Sequence, residues 1–207
     1  EALKEREVFR SVIHTRLLVS LCHIYWLEAD LSNHRQIADQ LLQLGNALDL
    51  PESTAHARYF CGVGHYCRNE LAEAERYLAD VDRDAHVVNV YNFAHCGIAL
   101  ALTYQAQGRQ AEAREVAELA VSRALATSNT PFLHLAQAFQ AELALKQGNV
   151  AGASQWANTY FPEPFSTVIY LYAPQLTLAK WLLAQRSTES LMKAGDLLSR
   201  LHDFYLS

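Results

Sequence analysis

The sequence contains 207 residues, of which 51% are hydrophobic and 19% are charged, and its formal net charge at pH 7 is −5. This hydrophobic fraction is enough to form a sizeable core and excludes a disordered segment. Its 17 Lys and Arg residues are scattered and form no basic run. A surface that binds DNA or RNA needs clustered positive charge, so we expect no direct contact with nucleic acid.

No apolar stretch approaches the ~20 residues that a membrane-spanning helix needs, and the charged first ten residues do not resemble a signal peptide. The four cysteines, Cys22, Cys61, Cys67 and Cys96, show no CxxC spacing. They are predicted to be reduced, buried thiols of a cytoplasmic protein. Because the sequence begins with Glu rather than Met, we expect it to be a fragment of a larger protein.

Few Gly and Pro residues (8 and 5), with abundant Ala, Leu and Gln, predict an all-α protein. In chain order the predicted helices span residues 3–30, 34–48, 52–67, 70–81, 85–106, 109–127, 131–147, 150–159, 166–186 and 189–205. Pro174 falls inside the ninth helix and is expected to kink or split it.

These helices form a repeat of helix pairs. Four aligned segments end in alanines at positions 38, 74, 113 and 153, in steps of 36, 39 and 40 residues, and Ala194 is the candidate of a less regular fifth pair. Five residues before the four alanines stand Asn33, Asn69, Gly108 and Gly148. Asn and Gly readily adopt the left-handed conformation that ends a helix. Each alanine is predicted to lie where two helices cross closely. We therefore expect residues 1–207 to form a single domain, an α-solenoid of about five antiparallel helix pairs.

The pattern small–x–x–Tyr–x–x–x–Gly–x–x–x–x–Ala in Ala101–Ala113 resembles the tetratricopeptide repeat (TPR), whose period is near 34 residues. The steps between repeats in this sequence are longer than that period. In these longer steps, and in the residue pattern of segments 62–78, 99–109 and 176–186, the sequence is similar to the helical-repeat domain of MalT-type, large ATP-binding regulators of the LuxR family. This resemblance implies a right-handed TPR-like solenoid in a bacterial, signal-responsive transcriptional regulator. In that family an NTPase module precedes the repeats, a helix-turn-helix domain follows them, and the repeats bind an inducer or a regulatory protein.

The sequence itself contains neither neighbouring module. No Gly is followed by Lys, which excludes the P-loop G-x-x-x-x-G-K-[ST], and no terminal segment resembles a basic recognition helix. If the resemblance holds, this chain is the middle portion of such a regulator.

A metal site is one interpretation of Cys61 and His65, which lie one helical turn apart and could bind a metal with Cys22 or His95. The favoured interpretation is that both occupy core positions, because their counterparts in the next repeat are core residues. The nine histidines are scattered over several repeats, and the acidic pairs at the starts of second helices suit the helix dipole. We therefore expect no metal, no cofactor and no enzymatic activity.

A binding groove is better motivated. In a solenoid of helix pairs the first helices line the inner surface, and the residues that flank their core positions should point into the groove. These residues are His56, Tyr59, Tyr66, His95, Ile98 and Gln105. Such side chains suit a sugar, a peptide or a partner helix. The alternative is that these rings fill space between repeats. A similar polar-aromatic face is predicted from Tyr170, Tyr172, Gln175 and Trp181.

Two functions follow. The first hypothesis is a non-catalytic sensor or interaction domain of a LuxR-family, MalT-like regulator, and the alternative is a general TPR-like scaffold for protein–protein interaction. Apolar residues at both ends predict faces that bind neighbouring protein, with possible end-to-end self-association of the chain. They are Val8, Phe9, Val12 and Ile13 on the first helix, and Leu197, Leu198, Leu201, Phe204 and Tyr205 on the last.

Overall fold

The computed structural model describes residues 2–80, 90–165 and 170–206, with side chains from residue 10 onward other than those of 90–92. Within these ranges all regular structure is helical, which confirms the predicted all-α class. The helices are α1 (Ala2–Leu27), α2 (Leu31–Ala47), α3 (Pro51–Cys67), α4 (Leu71–Ala79), α5 (Val90–Ala106), α6 (Gln110–Ala126), α7 (Thr130–Lys146), α8 (Val150–Ala157), α9 (Pro174–Ala184) and α10 (Thr188–Leu206). Odd-numbered helices are the first helices of the pairs and even-numbered helices the second.

The described helix ends agree with the predicted ones to within three residues, except in the ninth helix. Residues 85–89 and 166–169, which were predicted to be helical, lie outside the described residues. Residues 170–173 are not helical, and α9 begins at Pro174 instead of being kinked there. Ala173 is extended (φ −126°, ψ 114°), because a proline ring disfavours helical backbone in the residue before it. In the first turn of a helix, the missing N–H of Pro174 removes no helical hydrogen bond.

Most of the helices end at a residue with positive φ. These residues are Ala29, Asp49, Asn69, Gly108, Ser128, Gly148 and Arg186. The prediction is confirmed for Asn69, Gly108 and Gly148. In the first pair it is wrong: Ala29 is left-handed (φ 56°), whereas Asn33 lies inside α2, where its backbone N–H is capped by the Asp30 carboxylate at 3.0 Å.

This correction shifts the register of the first pair by four residues. Counted from the left-handed residue, the counterpart of Ala74, Ala113 and Ala153 is His34 rather than Ala38. The corrected steps are 40, 39 and 40 residues, which is more regular than the predicted 36, 39 and 40. All five of these residues are fully buried, because Ala38 lies one turn after His34 on the same helix face.

The chain divides into two compact units, Glu1–Gln107 and Gly108–Ser207. In the first unit, α1 and α5 both contact α3, while α2 packs against α1 and α3, and α4 packs against α3 and α5. In the second unit, α7 contacts α6, α8 and α9, and α9 also contacts α8 and α10. Each unit thus has a layer of first helices covered by second helices. The single domain over 1–207 stays a prediction.

Close approach of the helices depends on glycine at two places. A Cβ atom added to Gly62 of α3 would lie 2.5 Å from Cγ of Leu78 in α4, so the absence of a side chain admits the leucine. A Cβ atom added to Gly45 of α2 would lie 2.7 Å from Oγ1 of Thr54 in α3, so α2 and α3 also approach closely at a glycine. At Gly64 an added Cβ would lie at ordinary contact distance, 3.4 Å from Nδ1 of His34 in α2.

The predicted apolar end faces are found in part. The side chains of Val8 and Phe9 lie outside the described residues, and Ile13 is 44% exposed. On α10, Leu197 and Leu201 are buried against α9 rather than exposed, because they belong to the cluster that includes Ala179. Leu198 and Tyr205 are exposed, and Ala194 is fully buried. No helix in the described parts of the chain is long and apolar enough to cross a lipid bilayer.

Replacement of Gly62 by alanine is expected to lower the free energy of unfolding by about 1–2 kcal/mol. The new methyl group overpacks the Leu78 contact, and this outweighs the higher helix propensity of alanine. The matched control is Gly195→Ala in α10, where an added Cβ would meet no atom within 4 Å. The control should stabilise the chain by up to about 1 kcal/mol. Urea unfolding followed by far-UV circular dichroism measures both, and equal effects of the two substitutions would contradict the packing described.

Candidate functional site

The first unit contains a groove of about 620 Å³ between the first helices α1 and α3, which we call the His56 groove. It is lined by Val12, Thr15, Arg16, Val19, Ser20, Leu50, Pro51, Glu52, Ser53 and His56. Its apolar side chains come from both sides, and Arg16, Glu52 and His56 supply positive, negative and imidazole groups. Binding sites commonly combine an apolar lining with a few polar groups that fix the orientation of what they bind.

Local sequence at the start of α3 shapes this groove. Asp49 has a positive φ of 50° and ends the connection from α2, and Pro51 is the first residue of α3. Leu50 and Pro51 are thereby placed at the edge of the groove next to α1. One turn into the helix, Nδ1 of His56 lies 2.9 Å from the carbonyl oxygen of Glu52, which accepts its hydrogen bond and orients the ring.

The structure brings only His56 of the six predicted site residues into this groove. Tyr59, His95 and Ile98 are 2%, 6% and 2% exposed. Their surroundings match the alternative interpretation, in which these side chains fill space between repeats. The ring of Tyr59 lies 6.5 Å from that of His95, centroid to centroid. Tyr66 and Gln105 are partly exposed and do not line the groove. The assignment of the six residues to a binding site is not tested by these positions and stays a prediction.

Buried imidazole rings form an aromatic cluster in the core of the first unit. The ring of Phe60 lies 4.9 Å from His23 and 5.7 Å from His34, both edge-on. Neither ring nitrogen of His34 has a hydrogen-bond partner among the described residues. Burial, together with the charge of Arg68, lowers the pKa of His34 to about 4, and burial lowers the pKa of His95 to about 3. Both rings are therefore neutral at pH 7.

The cysteines are free thiols, and three of the four are buried as predicted. Cys67 is exposed instead, because it is the last residue of α3 and adjoins the turn. Burial raises the pKa of Cys22 and of Cys61 to about 12, so both stay protonated and are poor nucleophiles. The Cys61 thiol lies 3.8 Å from an Asp39 carboxylate oxygen, to which it donates.

His65, the other member of the candidate metal site, makes contacts of its own. Its Nδ1 lies 2.5 Å from a carboxylate oxygen of Glu70, and its ring stacks on that of Tyr77 with centroids 5.4 Å apart. Arg68 also donates to Glu70 at 3.2 Å. Among the residues whose positions are described, no group of three or more His, Cys, Asp or Glu side chains could hold a metal ion.

The second unit has a groove of about 780 Å³, which we call the Trp181 groove. Its lining comes from the end of α8, the following loop, α9 and α10, and includes Tyr160, Leu178, Trp181, Met192, Asp196 and Arg200. Nε1 of Trp181 donates to Oγ of Ser154 at 3.2 Å, which orients the indole. Of the predicted polar-aromatic face, Trp181 lines this groove, whereas Tyr172 and Gln175 are buried.

A buried carboxylate, which the sequence analysis missed, joins α7 to α9. Glu142 is buried and accepts hydrogen bonds from Oγ1 of Thr177 at 2.9 Å and from Nζ of Lys180 at 2.6 Å. Because the Thr177 hydroxyl donates to Glu142, it accepts from the Tyr172 hydroxyl, 2.9 Å away. Burial raises the pKa of Tyr172 and keeps its phenol protonated. The available sequence signal was a single acidic residue in α7, flanked by Ala141 and Leu143.

No family model matches this sequence, and no curated protein matches it. Among the solved structures, two similar ones are crystal structures of a Podosopora anserina protein described as a kinesin light chain with nearly identical TPR-like repeats, one being a single-residue variant. Each is 20% identical in sequence and superposes with a TM-score of 0.59, over 92% of this chain and 93% or 94% of the other. The likeness shows the fold.

This chain has the fold of a TPR-like repeat protein. The predicted α-solenoid class is thereby confirmed, and so is the broader resemblance to TPR-like repeats. The comparisons do not support the narrower resemblance to MalT-type regulators.

The buried histidines predict that acid destabilises the chain. Below the ordinary histidine pKa of 6.5, His34 and His95 bind protons in the unfolded chain but stay neutral in the folded chain. The free energy of unfolding should therefore fall as the pH is lowered from about 6.5 to about 4, with up to ~1.4 kcal/mol per pH unit from each group. Urea unfolding at a series of pH values measures this slope.

A matched pair of variants assigns the slope to the buried ring. His34→Leu removes one buried titrating group and should make the slope shallower. His134→Leu removes an exposed histidine of α7 and should leave the slope unchanged. If the His34 variant kept the full acid sensitivity of the parent chain, the burial of a neutral ring at this position would not be its source.

Proposed function

We propose that this chain is a non-catalytic interaction module that binds a polypeptide partner in the His56 groove. The observation that carries the proposal is an open groove between two first helices, whose lining combines apolar side chains with Arg16, Glu52 and His56, in a chain with a TPR-like fold. The solved structures are only 20% identical in sequence to this chain, so they do not indicate its partner. The partner is therefore proposed from the chemistry of the groove.

The hydroxyl groups in the groove support binding rather than catalysis. Oγ1 of Thr15 donates to the carbonyl oxygen of Val12 at 3.0 Å, and Oγ of Ser20 donates to that of Arg16 at 3.1 Å. His56 is hydrogen-bonded to the main chain through Nδ1. Neither of these hydroxyls is thus paired with the imidazole, as an activated nucleophile requires. The buried thiols are protonated and lie outside the groove.

The lining defines the kind of partner. Val12 and Val19 from α1 face Leu50 and Pro51 from the start of α3, and together they suit one or two apolar side chains. The polar atoms at Arg16, Glu52 and His56 suit the hydrogen-bonding groups of an extended main chain, because they include both donors and acceptors. A short peptide segment with an apolar anchor between polar residues matches both features.

Peptides selected on the full chain from a random peptide display library test this proposal. Their affinity is measured by fluorescence anisotropy for the parent chain and for the double variant Arg16→Ala/His56→Ala. We expect the double variant to bind at least about tenfold more weakly, which corresponds to ~1.4 kcal/mol. The control is Arg35→Ala/His134→Ala, which changes the same residue types outside the groove and should bind like the parent. Peptides that bind both variants equally would place the binding site elsewhere.

A narrower proposal follows from the sequence resemblance alone: the module belongs to a MalT-type regulator and binds an inducer or a regulatory protein. This proposal is supported by the repeat pattern of residues 62–78 and 99–109. Sequencing of the gene on both sides of this segment tests it. A P-loop NTPase module upstream with a helix-turn-helix downstream would favour the regulator, and their absence would leave the general scaffold.

A further inference from the structure

Helix α1 exposes a line of apolar side chains that the His56 groove does not use. Ile13, Leu17, Ile24 and Leu27 are between 44% and 58% exposed, and their spacing places them on one helix face. We call this set the α1 stripe. The groove includes none of these four, although its Ser20 lies on the same face, one turn before Ile24.

In the later first helices, the residues equivalent to Leu17 of the α1 stripe are buried by the surrounding protein. Counted from the left-handed residue that follows each helix, the counterparts of Leu17 are Ala57 in α3, Cys96 in α5 and Ala136 in α7. Leu17 is 58% exposed, whereas these three are 0%, 2% and 1% exposed. In α3, α5 and α7 this position therefore lies inside the packed protein.

The same comparison of exposure holds for Ile24. It is 47% exposed, and its counterparts Gly64, Thr103 and Leu143 are all buried. At Leu17 and Ile24 the α1 stripe therefore corresponds to a face that is covered in the later first helices. Leu27 differs, because its counterparts Cys67 and Ala106 are exposed.

The contacts of α3 show what covers this face. Gly64, the counterpart of Ile24, lies against the ring of His34 in α2. Phe60 contacts the same ring edge-on, and the Cys61 thiol donates to Asp39 of α2. The face is therefore the one on which a first helix binds the second helix of the preceding pair. The α1 stripe is shaped to receive such a second helix.

Helix α10 carries a stripe of the matching kind. It packs on α9 through Ala194, Leu197 and Leu201, while Leu191, Gly195, Leu198 and Tyr205 lie on a separate exposed face, which we call the α10 stripe. An added Cβ at Gly195 would meet nothing within 4 Å, so this face also has room for the close approach of another helix.

The α10 stripe lies next to the buried face of its helix, as the α3-facing side of α2 does. Gly195 and Leu198 come one residue after the buried Ala194 and Leu197, just as Asp39 and Leu42 come one residue after the buried Ala38 and Leu41 of α2. Asp39 accepts from the Cys61 thiol of α3, so this side of a second helix is the one that borders the next first helix.

We propose that copies of this chain associate head to tail, with the α10 stripe of one copy packed antiparallel on the α1 stripe of the next, as α2 packs on α3. In this arrangement the C-terminal end of α10, with Asp203, meets the N-terminal part of α1, with Arg10, and the two charges attract. The two surfaces differ, so each copy keeps one unused stripe after pairing and can add a further copy, and the assemblies grow with concentration.

Sedimentation velocity of the full chain over a concentration series tests the proposal. We expect the weight-average sedimentation coefficient to rise with concentration without a plateau at the dimer. One variant carries Leu17→Lys/Ile24→Lys on the α1 stripe, and a second carries Leu191→Lys/Leu198→Lys on the α10 stripe. Each should be monomeric alone, because one of its two surfaces is charged and the other has no partner surface.

The mixture of the two variants distinguishes this contact from any other. Each variant keeps one intact stripe, so an equimolar mixture should form a one-to-one dimer that grows no further. The control is Leu119→Lys, which charges an exposed leucine of α6 and should associate like the parent. Circular dichroism confirms that the variants are folded, as expected for substitutions of exposed side chains.

A parent chain that stays monomeric at all concentrations would overturn the proposal. So would association that persists in either double variant, or folded variants whose mixture remains monomeric. This result is independent of the proposed function, because peptide binding in the His56 groove can be measured on the same stripe variants, which leave Arg16 and His56 intact.

Discussion

The structure depends on close packing of helices at the residue that comes five positions after the left-handed residue in each of the first four helix pairs. At this position Ala74, Ala113 and Ala153 are fully buried. The first pair has the fully buried His34 there instead, and its imidazole lies against Gly64 of α3 and the rings of Trp26 and Phe60. The repeat thus keeps a nearly constant step with either a methyl group or a buried ring at this position.

This accommodation has an electrostatic consequence. The space beside Gly64 is apolar apart from the Arg68 guanidinium nearby, and it gives the ring nitrogens of His34 no described hydrogen-bond partner. The ring fits there only in its neutral form, since a buried imidazolium would lack both water and a counter-charge. Packing at the helix crossing is therefore also the origin of the acid sensitivity that we predict for the first unit.

The regular register also explains which surfaces are available for binding. In α3 and in α7 one face meets the helix's own second helix, one meets the preceding second helix, and one meets the next first helix. Tyr59 and His95 lie on faces of this kind that are closed by packing. The His56 groove stays open because the start of α3 and the middle of α1 do not fill the space between them. The α1 stripe is exposed for a different reason, since it matches a face that a second helix covers in α3.

The sequence by itself determined the all-α class, the positions of most helix ends and the approximate repeat step. These features are local: helix propensity acts within a few residues, and Gly108, Gly148 and Asn69 end their helices through their own backbone preferences. Only the tertiary structure decided that Ala29 turns left-handed, that Tyr59 and His95 are interior, and that Glu142 pairs with Lys180. The last two outcomes depend on contacts between residues about 30 to 40 positions apart, whose energies no single segment of the sequence contains.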